Sequence, residues 1–301
     1  MNASAPIAAT KPTEIPARGW RDVVVRTWRE SGEDNIDLIA AGVAFYGFLA
    51  FVPLLAAVVL VYGLVADPAS VVEHFRALTE IMPVDVARLI AEQLIAITST
   101  ASSRTGFGLI IALAVSIYGA MRGSSAVIVA LNIAYDAPET RSMVRQYLMA
   151  ATITLGALAA VVIAIIAISF MGFVQRLLPF AGPVVHTALK LLFAAILAGS
   201  VSMLVAVVYR YAPNRPKARW RWLTPGSVLA TFVWLIGTLA FGAYVANFGN
   251  YNATYGSLGA VVAFLTWMYL SAYILLLGAE LNSELERQTT CDTEAPQRHA
   301  S

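Results

Sequence analysis

Six long apolar segments, separated by shorter polar stretches, dominate the pattern of hydrophobic and polar positions along the chain. A hydrocarbon core about 30 Å thick is crossed by about 20 apolar helical residues. The runs are continuous rather than alternating, so they do not fit the roughly 10-residue strands of a membrane β-barrel. The pattern predicts an all-α integral membrane protein whose domain of six transmembrane helices covers residues 38–285. The predicted spans are 38–66, 107–135, 147–173, 184–209, 225–247 and 257–281.

Outside these spans the pattern predicts smaller elements. Residues 19–37 place aromatic residues and valines on one helical face and arginines around the other. That distribution is typical of an amphipathic helix in the headgroup plane, and equally of a helix packed on the inner face of the bundle. Residues 67–106 carry two stretches with helical apolar spacing on either side of Pro83, which predicts a helical hairpin on the outer surface. Residues 1–18 and 286–301 are predicted to be disordered tails.

The distribution of charge supports a membrane protein and predicts its orientation. The chain is 59% hydrophobic and 13% charged, whereas about a quarter of a soluble domain is charged. Fourteen of the twenty Lys and Arg residues fall in the two tails and in connections on the same predicted side, and four fall on the opposite side. Because basic residues accumulate on the cytoplasmic side, we expect both termini in the cytoplasm.

Arg122, in the middle of the second span, is the most informative single residue. A mid-membrane arginine costs about 2.5–3.5 kcal/mol on insertion scales, so it usually faces protein or water. Tyr118, Ser125 and Asn132 lie within about a quarter turn of Arg122 on a helical wheel, which makes a polar stripe. The stripe has two interpretations: it lines a substrate path, or it forms an interhelical hydrogen-bond network that only holds the bundle together.

Two other spans contain residues with alternative roles. Pro53 interrupts the first span and frees backbone carbonyls one turn earlier; broken helices build substrate sites in transporters, whereas a plain kink is purely structural. Glu280, near the end of the sixth span, is interpreted as the partner of a basic residue on a neighbouring helix, as a proton-linked gate, or as a solvated helix end. Gly119 and Gly123 form a GxxxG pair, which predicts close helix packing.

The connection after the fourth span interleaves basic and aromatic residues. Such a pattern is compatible with nucleic-acid binding. Next to a membrane span, however, it favours contact with anionic lipid, with the aromatic rings in the interface. We therefore expect anionic lipids on the cytoplasmic face of the bilayer as partners, and no nucleic acid. The basic residues assigned to lipid headgroups are Arg210, Arg215, Lys217, Arg219 and Arg221.

The motifs of common enzyme classes are missing from the sequence. The single cysteine, Cys291, cannot form an intrachain disulfide, and the three histidines lie far apart. There is no P-loop or Gly-x-Ser-x-Gly motif, and no span carries a central carboxylate pair. We expect no catalysis, no cofactor and no metal site. The leading hypothesis is a secondary or passive transporter or exporter of an unidentified lipid-like substrate, and the alternative is a non-transporting envelope scaffold.

Several stretches, taken together, resemble the YihY/BrkB family of bacterial inner-membrane proteins over roughly residues 20–285. They are AGVAFYGFLAFVPLL, ALNIAYD, YRYAPNRP, RWRWLTPGSVLA and NYNATYGSLGAVVAFLTWMYLSAYILLLGAELN. The resemblance implies an all-helical fold in the inner membrane. Positions that match the family pattern include Tyr46, Pro53, Asn132, Tyr211, Pro213, Pro225, Gly226, Trp234, Tyr255, Gly256, Trp267, Gly278 and Glu280.

The family has also carried the label ribonuclease BN, a tRNA-processing activity. A metal-dependent nuclease needs clustered His and Asp ligands, and the sequence shows no such cluster. The residues therefore make this the least favoured of the three functions.

The candidates for a substrate path or polar network comprise the Arg122 stripe together with three further residues, Tyr46, Pro53 and Glu280.

Overall fold

The fold is built from long helices. The computed structural model describes residues 12–62, 92, 107–177, 182–215, 220–247 and 257–287. Within these ranges a 3-10 turn at Pro12–Glu14 precedes seven α-helices: α1 (Ala17–Glu33), α2 (Ile36–Tyr62), α3 (Phe107–Ala134), α4 (Met143–Leu177), α5 (Pro183–Tyr211), α6 (Trp220–Asn247) and α7 (Ser257–Arg287).

Helices α2 to α7 are each long and apolar enough to cross a membrane. The prediction of an all-α protein with six candidate spans is therefore confirmed. The predicted outer hairpin at 67–106, apart from residue 92, lies outside the described residues. So do residues 1–11 and 288–301 of the predicted tails.

Some boundaries differ from the predicted ones. Part of the segment 1–18 is ordered, because Ile15 is buried in an apolar cluster with Val23, Leu281 and Leu285. Helix α6 begins at Trp220, ahead of the predicted start at residue 225, so Pro225 lies inside the helix. Helix α7 continues beyond residue 281 to Arg287, because its last turns are packed inside the protein rather than exposed.

The helices pack around α7, which contacts α1, α2, α3 and α6. Helix α2 packs along α3, α3 along α4, and α6 along α5, while α4 and α5 touch only sparsely. The order around the bundle is therefore α4, α3, α2, α7, α6, α5. Large apolar side chains are exposed on the outer faces of the spans, for example Val115, Ile163, Leu191 and Leu239, as a lipid-facing surface requires.

Small residues allow two close helix contacts. A Cβ atom on Gly119 would lie 2.9 Å from the Pro53 ring, and one on Gly123 would lie 3.1 Å from the Cβ of Ala50. The predicted packing role of the GxxxG pair is confirmed, and Pro53 packs against α3 inside a continuous α2. Helices α6 and α7 meet in the same way, because a Cβ on Gly278 would lie 2.8 Å from the carbonyl oxygen of Gly226.

One end of the bundle gathers most of the charged residues that the structure describes and is called the charged end below. It is formed by α1, residues 135–142, residues 212–215 and the last turns of α7. Asp136, which follows α3, has a left-handed backbone (φ 48°) that ends the helix and turns the chain. Asp and Asn tolerate that conformation better than other non-glycine residues.

Candidate functional site

The last turns of α7 form the buried centre of the charged end. Five polar residues there are between 0% and 2% exposed: Glu280, Asn282, Ser283, Glu284 and Glu286. The interpretation of Glu280 as a solvated helix end is therefore wrong. Helix α1 and the connections after α3 and α5 cover this segment. A helical wheel of the sixth span alone could not reveal that these distant segments cover it.

Glu284 joins three elements through ion pairs. Its carboxylate accepts from Nε of Arg26 on α1 at 2.7 Å and from Nη1 of Arg287 at 2.9 Å. Arg287 also pairs with Asp136 at the end of α3. A buried carboxylate is tolerated only when its charge is compensated in this way, so these contacts hold α1, α3 and α7 together.

Glu286 forms the most deeply buried ion pair among the described residues. Nη1 of Arg215 lies 2.7 Å from its carboxylate, and the two side chains are 4% and 1% exposed. The Arg215 guanidinium also lies over the Tyr135 ring, 3.8 Å from its centroid. Assigning Arg215 to lipid headgroups therefore needs correction, because the guanidinium is enclosed by protein and directed at an internal carboxylate.

Asn282 links α6 and α3 to the same centre. Its Oδ1 accepts a hydrogen bond from the Gly226 backbone N–H at 2.8 Å, and its Nδ2 donates to the Tyr135 hydroxyl at 3.4 Å. Nearby, the Tyr209 hydroxyl donates to the Leu275 carbonyl at 2.6 Å. These bonds satisfy polar groups near the α6–α7 contact. The backbones of the two helices approach closely there because Gly226 and Gly278 have no side chain.

Asn132 belongs to this end of the molecule and is buried. Its Nδ2 donates to the Glu139 carboxylate at 2.8 Å, and its Oδ1 accepts from the Asn214 N–H at 2.7 Å. Arg141 pairs with Glu139 at 2.6 Å, and its hydrogen bonds lower the pKa of Glu139 to about 2. Asn132 therefore joins two connections of the bundle and is separated from the exposed part of the predicted stripe.

Glu280 differs from its acidic neighbours. Among the described residues it forms no ion pair, and its Oε1 is buried without a hydrogen-bond partner. The charged groups close enough to affect it electrostatically include Asp34, Asp136, Glu284 and Arg287. The predicted pairing with a basic residue of a neighbouring helix is not formed within these ranges, so the proton-linked role stays a hypothesis.

Arg122 lies at the midpoint of the 25-residue span Ile110–Ala134 and is exposed on the outside of α3. Tyr118 and, on α2, Tyr46 are also exposed, at 57% and 45%, and the Tyr46 carbonyl lies beside Gly123. We call Tyr46, Tyr118, Arg122 and the half-buried Ser125 the α2–α3 polar strip. Within the described part of the chain, Arg122 has no hydrogen bond or ion pair.

The remaining predicted lipid contacts lie near the start of α6. The Arg210 guanidinium stacks over Trp220, 4.7 Å from the ring centroid, and over Tyr211 at 5.6 Å. Lys217 and Arg219 lie outside the described residues, and so does the side chain of Arg221. In the described ranges, no three His, Cys, Asp or Glu side chains converge in an arrangement that could hold a metal ion.

Sequence reasoning missed the ion pairs of Glu284 with Arg26 and of Glu286 with Arg215. A signal for them was present, because Glu280 and Glu284, and likewise Asn282 and Glu286, are spaced four residues apart. That spacing puts polar side chains on two faces of the helix end. The sequence alone did not reveal which basic residues of the distant α1 and of the connection after α5 would meet them.

These features define a polytopic α-helical membrane protein with six candidate spans, in which buried ion pairs link the end of α7 to α1 and to the segments that follow α3 and α5. The family described as Virulence factor BrkB matches residues 27–301. The chain belongs to this family, which confirms the resemblance seen in the sequence. No solved structure matches it significantly.

Individual relatives support the same assignment. The ribonuclease-like protein YfkH of Bacillus subtilis is 32% identical over 203 residues, which cover 65% of this chain and 72% of YfkH. The UPF0761 membrane protein RSc1559 of Ralstonia nicotianae is 28% identical over 85% of this chain and 57% of its own length. A UPF0761 membrane protein of Alteromonas mediterranea is 26% identical over 84% of both chains. The chain thus spans little more than half of the Ralstonia protein.

Proposed function

We propose that this protein is a secondary or passive transporter of the bacterial inner membrane that moves an anionic, lipid-like substrate past the α2–α3 polar strip. The observation that carries the proposal is the exposed Arg122 at the midpoint of its span. The basic connections suggest that the charged end faces the cytoplasm, with both termini on that side.

The depth of Arg122 makes its exposure costly. A 25-residue helical span is about 37 Å long, which exceeds a hydrocarbon core of about 30 Å. The middle of the span therefore lies near the bilayer centre, where an arginine costs about 2.5–3.5 kcal/mol. Since the described residues supply no counter-charge, we infer that water or an anionic group from outside the bundle meets the guanidinium.

An anionic amphiphile fits both the positive charge of this surface and its depth in the bilayer. A guanidinium binds phosphate oxygens through two parallel hydrogen bonds, while apolar chains remain in the surrounding bilayer. Tyr118 and Tyr46 are also exposed, on the neighbouring helices α3 and α2, and their hydroxyls offer further polar contacts. The strip thus supplies polar groups at a depth where the headgroup of a crossing lipid has no water.

The test is a scrambling assay in proteoliposomes with a fluorescent anionic phospholipid. Arg122→Gln is expected to slow movement roughly 10- to 100-fold, since a hydrogen bond to a charged group contributes about 1.5–3 kcal/mol. Arg122→Lys should retain part of the activity. Lys190→Gln removes an exposed cation from a different span and should not change the rate. If wild type and Arg122→Gln both stay at background across a broad substrate panel, transport is refuted.

The exposed apolar side chains of α1 favour a second candidate, the non-transporting envelope scaffold. Val24, Val25 and Trp28 are exposed on α1, whose other side packs against α7. A stable stoichiometric partner in affinity purification, without lipid movement, supports this candidate. Cleavage of tRNA by the purified protein with added divalent metal would instead support a ribonuclease, in keeping with the name of YfkH.

A further inference from the structure

A groove of about 490 Å³ runs between α5 and α6, away from the α2–α3 polar strip. Ligand pockets typically measure about 300–1,000 Å³, so the groove is large enough for part of a small molecule or lipid. Gly199, Met203, Val228 and Phe232 line it and are exposed. Because these residues lie within the candidate spans, the groove opens toward the acyl chains of the bilayer.

The lining changes from polar to apolar along the groove. Trp220, Thr224, Ser227 and Ser202 line the part nearest the charged end, and Ser202 donates a hydrogen bond to Ser227 at 3.3 Å. The deeper part, towards the middle of both spans, is lined by apolar groups that include Ala198, Gly199, Phe232 and Leu235. A gradient of this kind matches a molecule with a polar head and an apolar tail.

A positive charge lies beside the polar end of the groove. Trp220 forms part of the lining, and the Arg210 guanidinium stacks over this ring at 4.7 Å. Stacking on an aromatic face holds the planar guanidinium in one orientation. Its charge therefore lies next to the polar end of the groove, within reach of the phosphate of a lipid whose acyl chain occupied the groove.

We propose that the groove between α5 and α6 binds one anionic phospholipid of the bilayer. The phosphate lies against Arg210, and an acyl chain lies along Gly199 and Phe232. The idea that this lipid is also the transported molecule rests on the proposed function. The binding site itself is defined by the shape, polarity gradient and charge of the groove.

Gly199 allows the groove to be blocked without disturbing the fold. A Cβ atom at Gly199 would meet no atom within 4 Å, so Gly199→Phe places a ring in the groove without a backbone clash. Gly156 on α4 is equally open and exposed but lies elsewhere, which makes Gly156→Phe a matched control. The full chain is purified in detergent, and bound lipid is counted by native mass spectrometry after addition of phosphatidylglycerol or phosphatidylcholine with the same acyl chains.

We expect wild type and Gly156→Phe to retain one lipid, with a preference for phosphatidylglycerol. Gly199→Phe should lose this lipid. Arg210→Gln should reduce the preference for phosphatidylglycerol roughly fivefold, the factor expected for one basic residue at an anionic lipid surface. Retention by Gly199→Phe equal to that of Gly156→Phe overturns the proposal. So does a change from dimer to monomer in Gly199→Phe without any lipid loss, because the groove would then hold a second copy.

The binding experiment separates this inference from the transport proposal. If the protein binds lipid in the groove but moves none in proteoliposomes, the binding site is supported and the proposed transport function is refuted. Conversely, lipid movement that depends on Arg122 but is unaffected by Gly199→Phe, together with no groove-dependent binding, refutes the groove and leaves transport intact.

Discussion

The ion pair between Arg215 and Glu286 offers the sharpest test of how the charged end is held together. Its nitrogen–oxygen distance is 2.7 Å, and both side chains are almost fully buried. Arg215→Met removes the guanidinium but keeps an unbranched apolar side chain in place of the arginine stem. The variant therefore leaves the Glu286 carboxylate buried without the cation that faces it in the native protein.

The expected loss is large because the charge that remains is desolvated. Breaking one partner of a buried ion pair typically costs about 3–5 kcal/mol, whereas replacing both partners is often close to neutral. Loss of the contact with the Tyr135 ring contributes to the same figure, on the order of 2 kcal/mol for a desolvated cation–π pair. We expect Arg215→Met to lose about 3–5 kcal/mol, and Arg215→Met with Glu286→Gln to recover most of that loss.

The measurement is a double-mutant cycle on the unfolding free energy, obtained by denaturing detergent-solubilised protein with SDS in mixed micelles. The matched control is the pair between Arg29 and Glu33, four residues apart on α1 with side chains 57% and 60% exposed. Such exposed pairs contribute only a few tenths of a kcal/mol after solvent screening, so Arg29→Met should have little effect.

Two results would refute this reasoning. If Arg215→Met were as harmless as Arg29→Met, the buried pair would not stabilise the charged end. If the double variant lost the sum of the two single losses, the guanidinium and the carboxylate would act independently, in contradiction to their 2.7 Å contact.

Three further predictions concern packing, pH and orientation. Gly278→Ala should lower stability by about 1–3 kcal/mol through overpacking, whereas Gly242→Ala, which meets no neighbour, should not; equal melting temperatures would contradict the close α6–α7 contact. Arg141 lowers the pKa of Glu139 from 4.5 to about 2. The contribution of the ionised Glu139 to the free energy of unfolding is therefore complete above pH 4.5 and is lost as the pH falls towards 2. The stability difference between wild type and Glu139→Gln should shrink over that range, and a constant difference would refute the assignment. Reporter fusions after Asn214 and Asn250 should report opposite compartments, and a shared compartment would overturn the proposed topology.

The spans were predictable because membrane insertion depends on a local property of the chain. Each run of apolar residues is long enough to satisfy its own backbone as a helix in lipid, and the GxxxG pair on α3 identified a packing surface from spacing alone. Arg122 was also identified from its position in the span, since the free-energy cost of an arginine in the membrane depends on its depth in the bilayer. Its exposure on the outer side of the α2–α3 pair depended on where the neighbouring helices lie.

The charged end could not be derived in the same way. Arg26 and Glu284 are 258 positions apart in the sequence, and no local pattern connects them. The interpretation of Glu280 as solvated and the assignment of Arg215 to lipid both assumed that a charge beside a span faces outward. Burial reversed these two assignments, because the connections fold over the end of α7.

The amino-acid sequence by itself determined the six apolar spans, the all-helical class and the family. These properties follow from the composition and the order of residues along the chain, and each span satisfies its backbone hydrogen bonds within its own residues. Only the tertiary structure decided which charges pair inside the protein, which remain exposed and where a groove opens between α5 and α6. Pairing and burial depend on which distant segments meet, and that information becomes available only when the helices pack against one another.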